Sequence, residues 1–90
     1  MRRAAKVDSN QREIIKALKA IGCSIQLLHQ VGGGCPDVMV GYRGVTTLLE
    51  IKNPAGRDKV SESQITWQND WRGVPVWVVR SVVEAIDAVT

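Results

Sequence analysis

The sequence has no phenylalanine, a single tyrosine, a single histidine and only two cysteines. Without Phe, a core has to lean on three Trp and on the many Val and Ile residues. No apolar run approaches the roughly 20 residues that a membrane helix needs. The basic start, Met1-Arg2-Arg3-Ala4-Ala5-Lys6, has no apolar segment behind it and does not read as a signal peptide. Cys23 and Cys35 are too few for a disulfide framework and form no C-x-x-C. Their spacing with His29 fits no zinc pattern, so two buried free thiols in a reducing cytoplasm are expected. Internal repeats and low-complexity linkers are also missing.

What is present is an ordinary globular balance, with 44% hydrophobic and 23% charged residues. That balance excludes a disordered tail, a coiled coil and a collagen-like repeat. The 90 residues read as one domain spanning 1–90, with residues 1–7 a loose basic end. A chain of this size buries only about two-thirds of its unfolded surface, so modest stability is expected and a dimer would help. The net charge of +3 is compatible with nucleic acid without being diagnostic of it.

Residues 8–21 have the pattern of a helix, capped by Asp8 or Ser9 and ended by Gly22. Ile14, Ile15, Leu18 and Ile21 form its apolar stripe. Residues 23–30 read as a first strand, followed by the bendable loop Val31-Gly32-Gly33-Gly34-Cys35-Pro36. Residues 38–42 and 45–52 flank Arg43-Gly44 and read as a hairpin. Asn53-Pro54-Ala55-Gly56 breaks the sheet. Ser61 opens a second helix that ends before Gly73, and Ser61 with Gln64 has capping-box spacing. Val76-Trp77-Val78-Val79 is a continuous apolar run, as expected for a strand covered on both faces. Ser81 and Glu84 cap a last short helix with Val82, Val83, Ile86 and Val89 inward. The order α-β-β-β-α-β-α allows an antiparallel meander joined by a parallel last strand.

A two-residue turn at Arg43-Gly44 puts Tyr42 opposite Val45, Met39 opposite Leu48 and Asp37 opposite Glu50. Directly opposed residues have Cβ atoms about 5 Å apart on one face. Glu50 and Lys52 share that face, while Leu49 and Ile51 point the other way. Two facing carboxylates repel unless a cation or proton lies between them. A hard divalent ion suits oxygen ligands, and Mg²⁺ needs one or two protein carboxylates plus water and phosphate. Lys52 beside the pair supplies a group that orients a water or neutralises charge on a phosphate. A plain surface ion pair on a solvated strand face is the alternative reading of the same residues.

Gly34-Cys35-Pro36-Asp37, followed after twelve residues by Glu50-Ile51-Lys52, resembles the PD-(D/E)XK nuclease motif. From about residue 8 to residue 89 the chain resembles the VRR-Nuc family of small phage-type and repair nucleases. The similar features run from the helix with Gln11 through the hairpin after Gly-x-Pro-Asp. They continue through Arg57-Asp58-Lys59-Val60-Ser61 to Gln64 and Trp67, and end at Val78–Ala85. The resemblance implies an α/β fold: a restriction-endonuclease-like αβββαβ core with a mixed four-stranded sheet flanked by helices, plus a short C-terminal helix. It implies that Asp37 and Glu50 bind Mg²⁺ or Mn²⁺ with the backbone carbonyl of Ile51. Lys52 would position the attacking water or stabilise the transition state, and Gln64 would support the site. For Gln64 a capping role is equally compatible with its position.

The chain departs from related resolvase-like members, which carry a glutamate in the first helix. Gln11 stands there on the inward stripe, as a weaker, water-mediated ligand. The missing carboxylate counts against tight binding of a second metal. Glu13 lies off the stripe, near Lys16, and reads as a solvated charge. Arg57, Lys59, Gly33 and Gly34 flank the site and suit phosphate contact or close backbone approach, or else form a solvated loop. His29 reads as structural, and Trp67 and Trp71 as packing rather than base-stacking residues.

The function expected is metal-dependent hydrolysis of DNA in a phage or bacterial cytoplasm, selective for branched or four-way junction structure and carried out by a homodimer. A catalytically inactive DNA-binding module on the same fold is the main alternative, and a structural or partner-binding phage protein a further one. No residue identifies a targeting partner.

Overall fold

A computed structural model describes residues 4–54 and 59–90, with side chains from residue 10 onward. The elements are α1 (Ala4–Ala20), β1 (Ser24–Leu27), β2 (Val38–Tyr42), β3 (Val45–Ile51), α2 (Glu62–Asp70), β4 (Val76–Val79) and α3 (Val82–Val89). The four strands lie in the order β1-β2-β3-β4. The first three are antiparallel, and β4 joins β3 in parallel, with α2 in the crossover. This is the mixed sheet flanked by helices that a restriction-endonuclease-like fold requires.

Helix α1 starts earlier than expected. Ala4, Ala5 and Lys6 are good helix formers and nothing before Asp8 breaks the pattern, so residues 4–7 are helical rather than a loose end. Residues 1–3 of that basic end lie outside the described residues. The helix stops where Gly22 N–H donates to the Lys19 carbonyl and Cys23 N–H to the Leu18 carbonyl. These two bonds form a Schellman closure. The β2–β3 hairpin turns on Arg43 and Gly44, with φ of 50° and 81°. Two positive φ angles are the signature of a type I′ turn, whose twist matches the strands it joins. The Arg43 guanidinium lies 5.1 Å from the centre of the Tyr42 ring. The register is as expected, with Tyr42 opposite Val45 and Met39 opposite Leu48.

Side-chain alternation then divides the sheet. Val38, Val40, Leu49 and Val79 point to one face and join Ile14, Leu18, Cys23, Ala85 and Val89 in the core. Helices α1 and α3 cover this face and pack on each other. Leu48 and Glu50 point to the opposite face. Helix α2 has no buried residue of its own.

Several sequence expectations change at the edges. Strand β1 ends at Leu27: Leu28 N–H makes one more bond in the same register, to the Asp37 carbonyl, and Val31 N–H then closes a turn on Leu28. His29 is therefore in an exposed turn, not a strand. Strand β4 is an edge strand rather than one covered on both faces, and Trp77 and Val78 are 50% and 38% exposed. On α3, Val82, Ile86 and Val89 do turn inward, but Val83 is 68% exposed and Ala85 takes the buried place. Ile21 falls just past the end of α1 and is partly exposed. The tryptophans are not core residues: Trp67 and Trp71 stack on each other at 4.8 Å on α2. Cys23 is buried, but Cys35 is half-buried.

Stability should follow this division. Ile14→Ala, at a fully buried site, should cost about 2–5 kcal/mol. Val83→Ala should stay within about 0.5 kcal/mol of the parent. Urea unfolding of the two variants checks which positions of α1 and α3 face the core.

Candidate active site

The loop 32–36 delivers Asp37 to the start of β2. The β2–β3 ladder extends only to Val38 opposite Leu49, so Asp37 lies one residue beyond it. There the Asp37 N–H donates to the Leu49 carbonyl at 3.0 Å. The Asp37 carboxylate turns across and accepts the Ile51 N–H at 2.7 Å through Oδ2. The chain thus fixes this carboxylate against the last residues of β3.

Glu50 is 2% exposed, buried on the sheet face opposite the main core. Its Oε2 accepts from Gln64 Nε2 at 2.7 Å and lies 3.5 Å from Lys52 Nζ. Its Oε1 is buried and receives no N–H or O–H donor, so a bond between Glu50 and Asp37 forms only when one of the two acids is protonated. Burial first, then the charge of Asp37 and a hydrogen bond with it, push the Glu50 carboxyl up to about 7 against the opposing pull of Lys52. The same two carboxylates, after burial, raise the nearby Cys35 thiol.

Gln64 joins the remaining parts. Its Oε1 accepts both Lys52 Nζ at 3.0 Å and the Ser61 N–H at 2.8 Å. Ser61 Oγ in turn accepts the Gln64 N–H at 3.3 Å, completing a capping box. The capping and site readings of Gln64 are therefore one arrangement: the side chain that starts α2 also bonds Glu50 and Lys52.

Gly34 lets the first turn of α2 approach the loop closely. Its φ is +89°, and a Cβ there would lie 2.2 Å from the Ser63 carbonyl oxygen. Gly33, by contrast, is exposed with open space around it. Lys59 is exposed, and Arg57 lies outside the described residues. Gln11 is half-buried and Glu13 is exposed on α1.

Sequence reasoning missed the contact that α1 does make: Asn10 Nδ2 donates to the Lys52 carbonyl at 2.9 Å. It also missed Arg80, whose guanidinium donates to the Asn53 carbonyl at 2.8 Å. A sequence signal for Asn10 did exist, because an asparagine inside a helix is unfavourable without a partner.

No family model and no curated protein matches the chain. A solved structure described as a VRR_NUC domain does match, at 25% identity and a TM-score of 0.72, over 91% of each chain. The chain shares the fold of that VRR_NUC domain.

PD-(D/E)XK-like nucleases generally use divalent metals. The donor set of this site fits a hard cation. Both acids offer carboxylate oxygens, and Glu50 Oε1 is a buried acceptor with nothing donating to it. Among the described residues no three His, Cys, Asp or Glu side chains form a cluster. The rest of an octahedral shell would come from backbone, water and phosphate oxygens, as suits Mg²⁺ better than a softer metal.

Two outcomes follow. A raised carboxyl binds its proton more tightly in the folded than in the unfolded chain, whose glutamates titrate near about 4.3. The stability this confers is complete below that value and is lost as pH rises through about 7. Without divalent ions, the Tm of the wild type should fall across this window, and Glu50→Gln should flatten the fall. Second, Gly34→Ala should cost more than Gly33→Ala. Both meet backbone strain of about 1–3 kcal/mol, but only the first must also push α2 away. Thermal melts of the pair check this.

Proposed function

We propose that this domain is a divalent-metal-dependent nuclease that hydrolyses DNA phosphodiester bonds. The buried, unpartnered Oε1 of Glu50, beside Asp37 and Lys52, carries the reading. A solvated ion pair has no need to bury a carboxylate against a second one. A cation site does: a bound cation resolves the repulsion at a pH where the proton that would otherwise bridge the two acids is lost.

Asp37 and Glu50, with the backbone carbonyl of Ile51, would hold Mg²⁺ or Mn²⁺. Such an ion polarises a phosphate and lowers the pKa of a bound water. Lys52 orients the attacking water or stabilises the charge that builds on the phosphate. Gln64 keeps Lys52 and Glu50 in register through the bonds described above. Gln11 contributes through water at most, since an amide is a weaker ligand than the carboxylate it replaces. Lys59 and the Gly33–Gly34 backbone would meet the phosphate backbone of the substrate, where contacts fix position rather than sequence, and Arg57, outside the described residues, is a further candidate by its place in the sequence.

A domain this small has little surface for reading bases, which favours recognition of DNA shape, such as a branch or four-way junction. A two-fold homodimer would present two such sites to a symmetric junction.

Cleavage assays on linear duplex, single strand, flap and four-way junction, with Mg²⁺, Mn²⁺ or EDTA, test this. Wild type should cut only with metal and Glu50→Ala should not cut. Lys52→Ala should lose about 10²–10³-fold in kcat. Normal cutting by Lys52→Ala would overturn the mechanism. DNA binding without cutting in every metal would indicate an inactive binding module.

A further inference from the structure

We infer that Asn10 is a positioning residue of this site, holding the backbone of Lys52 from α1; the inference rests on the nuclease reading of Lys52. Strand β3 ends at Ile51, so Lys52 has left the ladder. Its peptide is nevertheless held at both ends. Lys52 N–H donates to the Val79 carbonyl at 2.9 Å, and its own carbonyl accepts from Asn10 Nδ2 at 2.9 Å. The next carbonyl, that of Asn53, accepts from Arg80. The segment that carries Lys52 is thus tied to β4 on one side and to α1 on the other.

Lys52 needs such support. Its side chain is flexible, and its Nζ must stay with Gln64 Oε1 at 3.0 Å and Glu50 Oε2 at 3.5 Å. Backbone freedom at Lys52 would carry Nζ away from both. Asn10 sits within the 17-residue helix α1, in a half-buried position. A helix interior disfavours asparagine, and the contact spans 42 residues of sequence. Its amide therefore serves a tertiary bond rather than the helix that contains it.

The test uses Asn10→Ala and the near-isosteric Asn10→Asp, which keeps the shape but presents no donor at neutral pH. Steady-state cleavage with saturating Mg²⁺ is measured over a range of substrate concentrations on the DNA structure that wild type cuts fastest, giving kcat and KM. The side-chain amide resonances of Gln64 are followed by ¹⁵N NMR, and Glu13→Ala, exposed on the same helix, is the control.

In both variants kcat should fall about tenfold or more, because small displacements of a reacting group are costly. KM should stay within about twofold, the Gln64 resonances should move and the domain should remain folded. A kcat equal to wild type in Asn10→Asp, a change in KM alone, or unmoved Gln64 resonances would each overturn the inference. If the wild type cuts nothing in any metal, the nuclease reading fails. The clamp is then judged on the resonances alone: movement supports it, and none overturns it.

Discussion

A buried carboxylate beside a second carboxylate is the constraint around which this small domain is arranged. Glu50 is almost wholly removed from water, and Asp37 lies close enough to raise its proton affinity. Burial of an ionised acid is costly unless charge and hydrogen bonds compensate. Lys52 and Gln64 compensate one oxygen of Glu50 and leave the other open. The incompleteness matters more than the compensation. A purely structural ion pair would satisfy both oxygens, whereas a site for an exchangeable cation keeps one available.

The second feature is the dependence of α2 on the same groups. This helix buries no residue and is only 9 residues long, too short to persist on its own account. Its first turn is fixed by the Ser61–Gln64 capping box, by the close approach of Gly34 and by the bonds from Gln64 to Glu50 and Lys52. Local structure and site geometry are one network here: whatever loosens the start of α2 also loosens Lys52. On the opposite face, α1 and α3 form the main core and give β2 and β3 the rigidity that a precise site needs.

Much of this was legible in the sequence because the informative signals are local. The Arg43-Gly44 turn sets the hairpin register, and the register brings Asp37 near Glu50. The spacing of Ser61 and Gln64 announces the cap. What was not legible depends on the tertiary arrangement. An apolar run such as Val76–Val79 does not reveal whether its strand is central or at an edge, so the exposure of Trp77 and Val78 was not foreseen. Val83 borders the Glu84–Asp87 side of α3, and counting it with the inward residues overlooked that polar side. Asn10 reaches Lys52 only because α1 folds across the end of β3, a contact with no signature in residue spacing.

The central claim is that Asp37 and Glu50 together form a divalent-cation site. Titration of the apoprotein with Mn²⁺ by calorimetry at pH 7, in two buffers of different ionisation enthalpy, tests it most directly. The account predicts saturable binding to the wild type, with proton release because Glu50 titrates at about 7. It also predicts that binding is lost in Glu50→Gln while the domain stays folded. Wild-type protein that takes up no Mn²⁺, or Glu50→Gln that binds it equally well, would contradict the account.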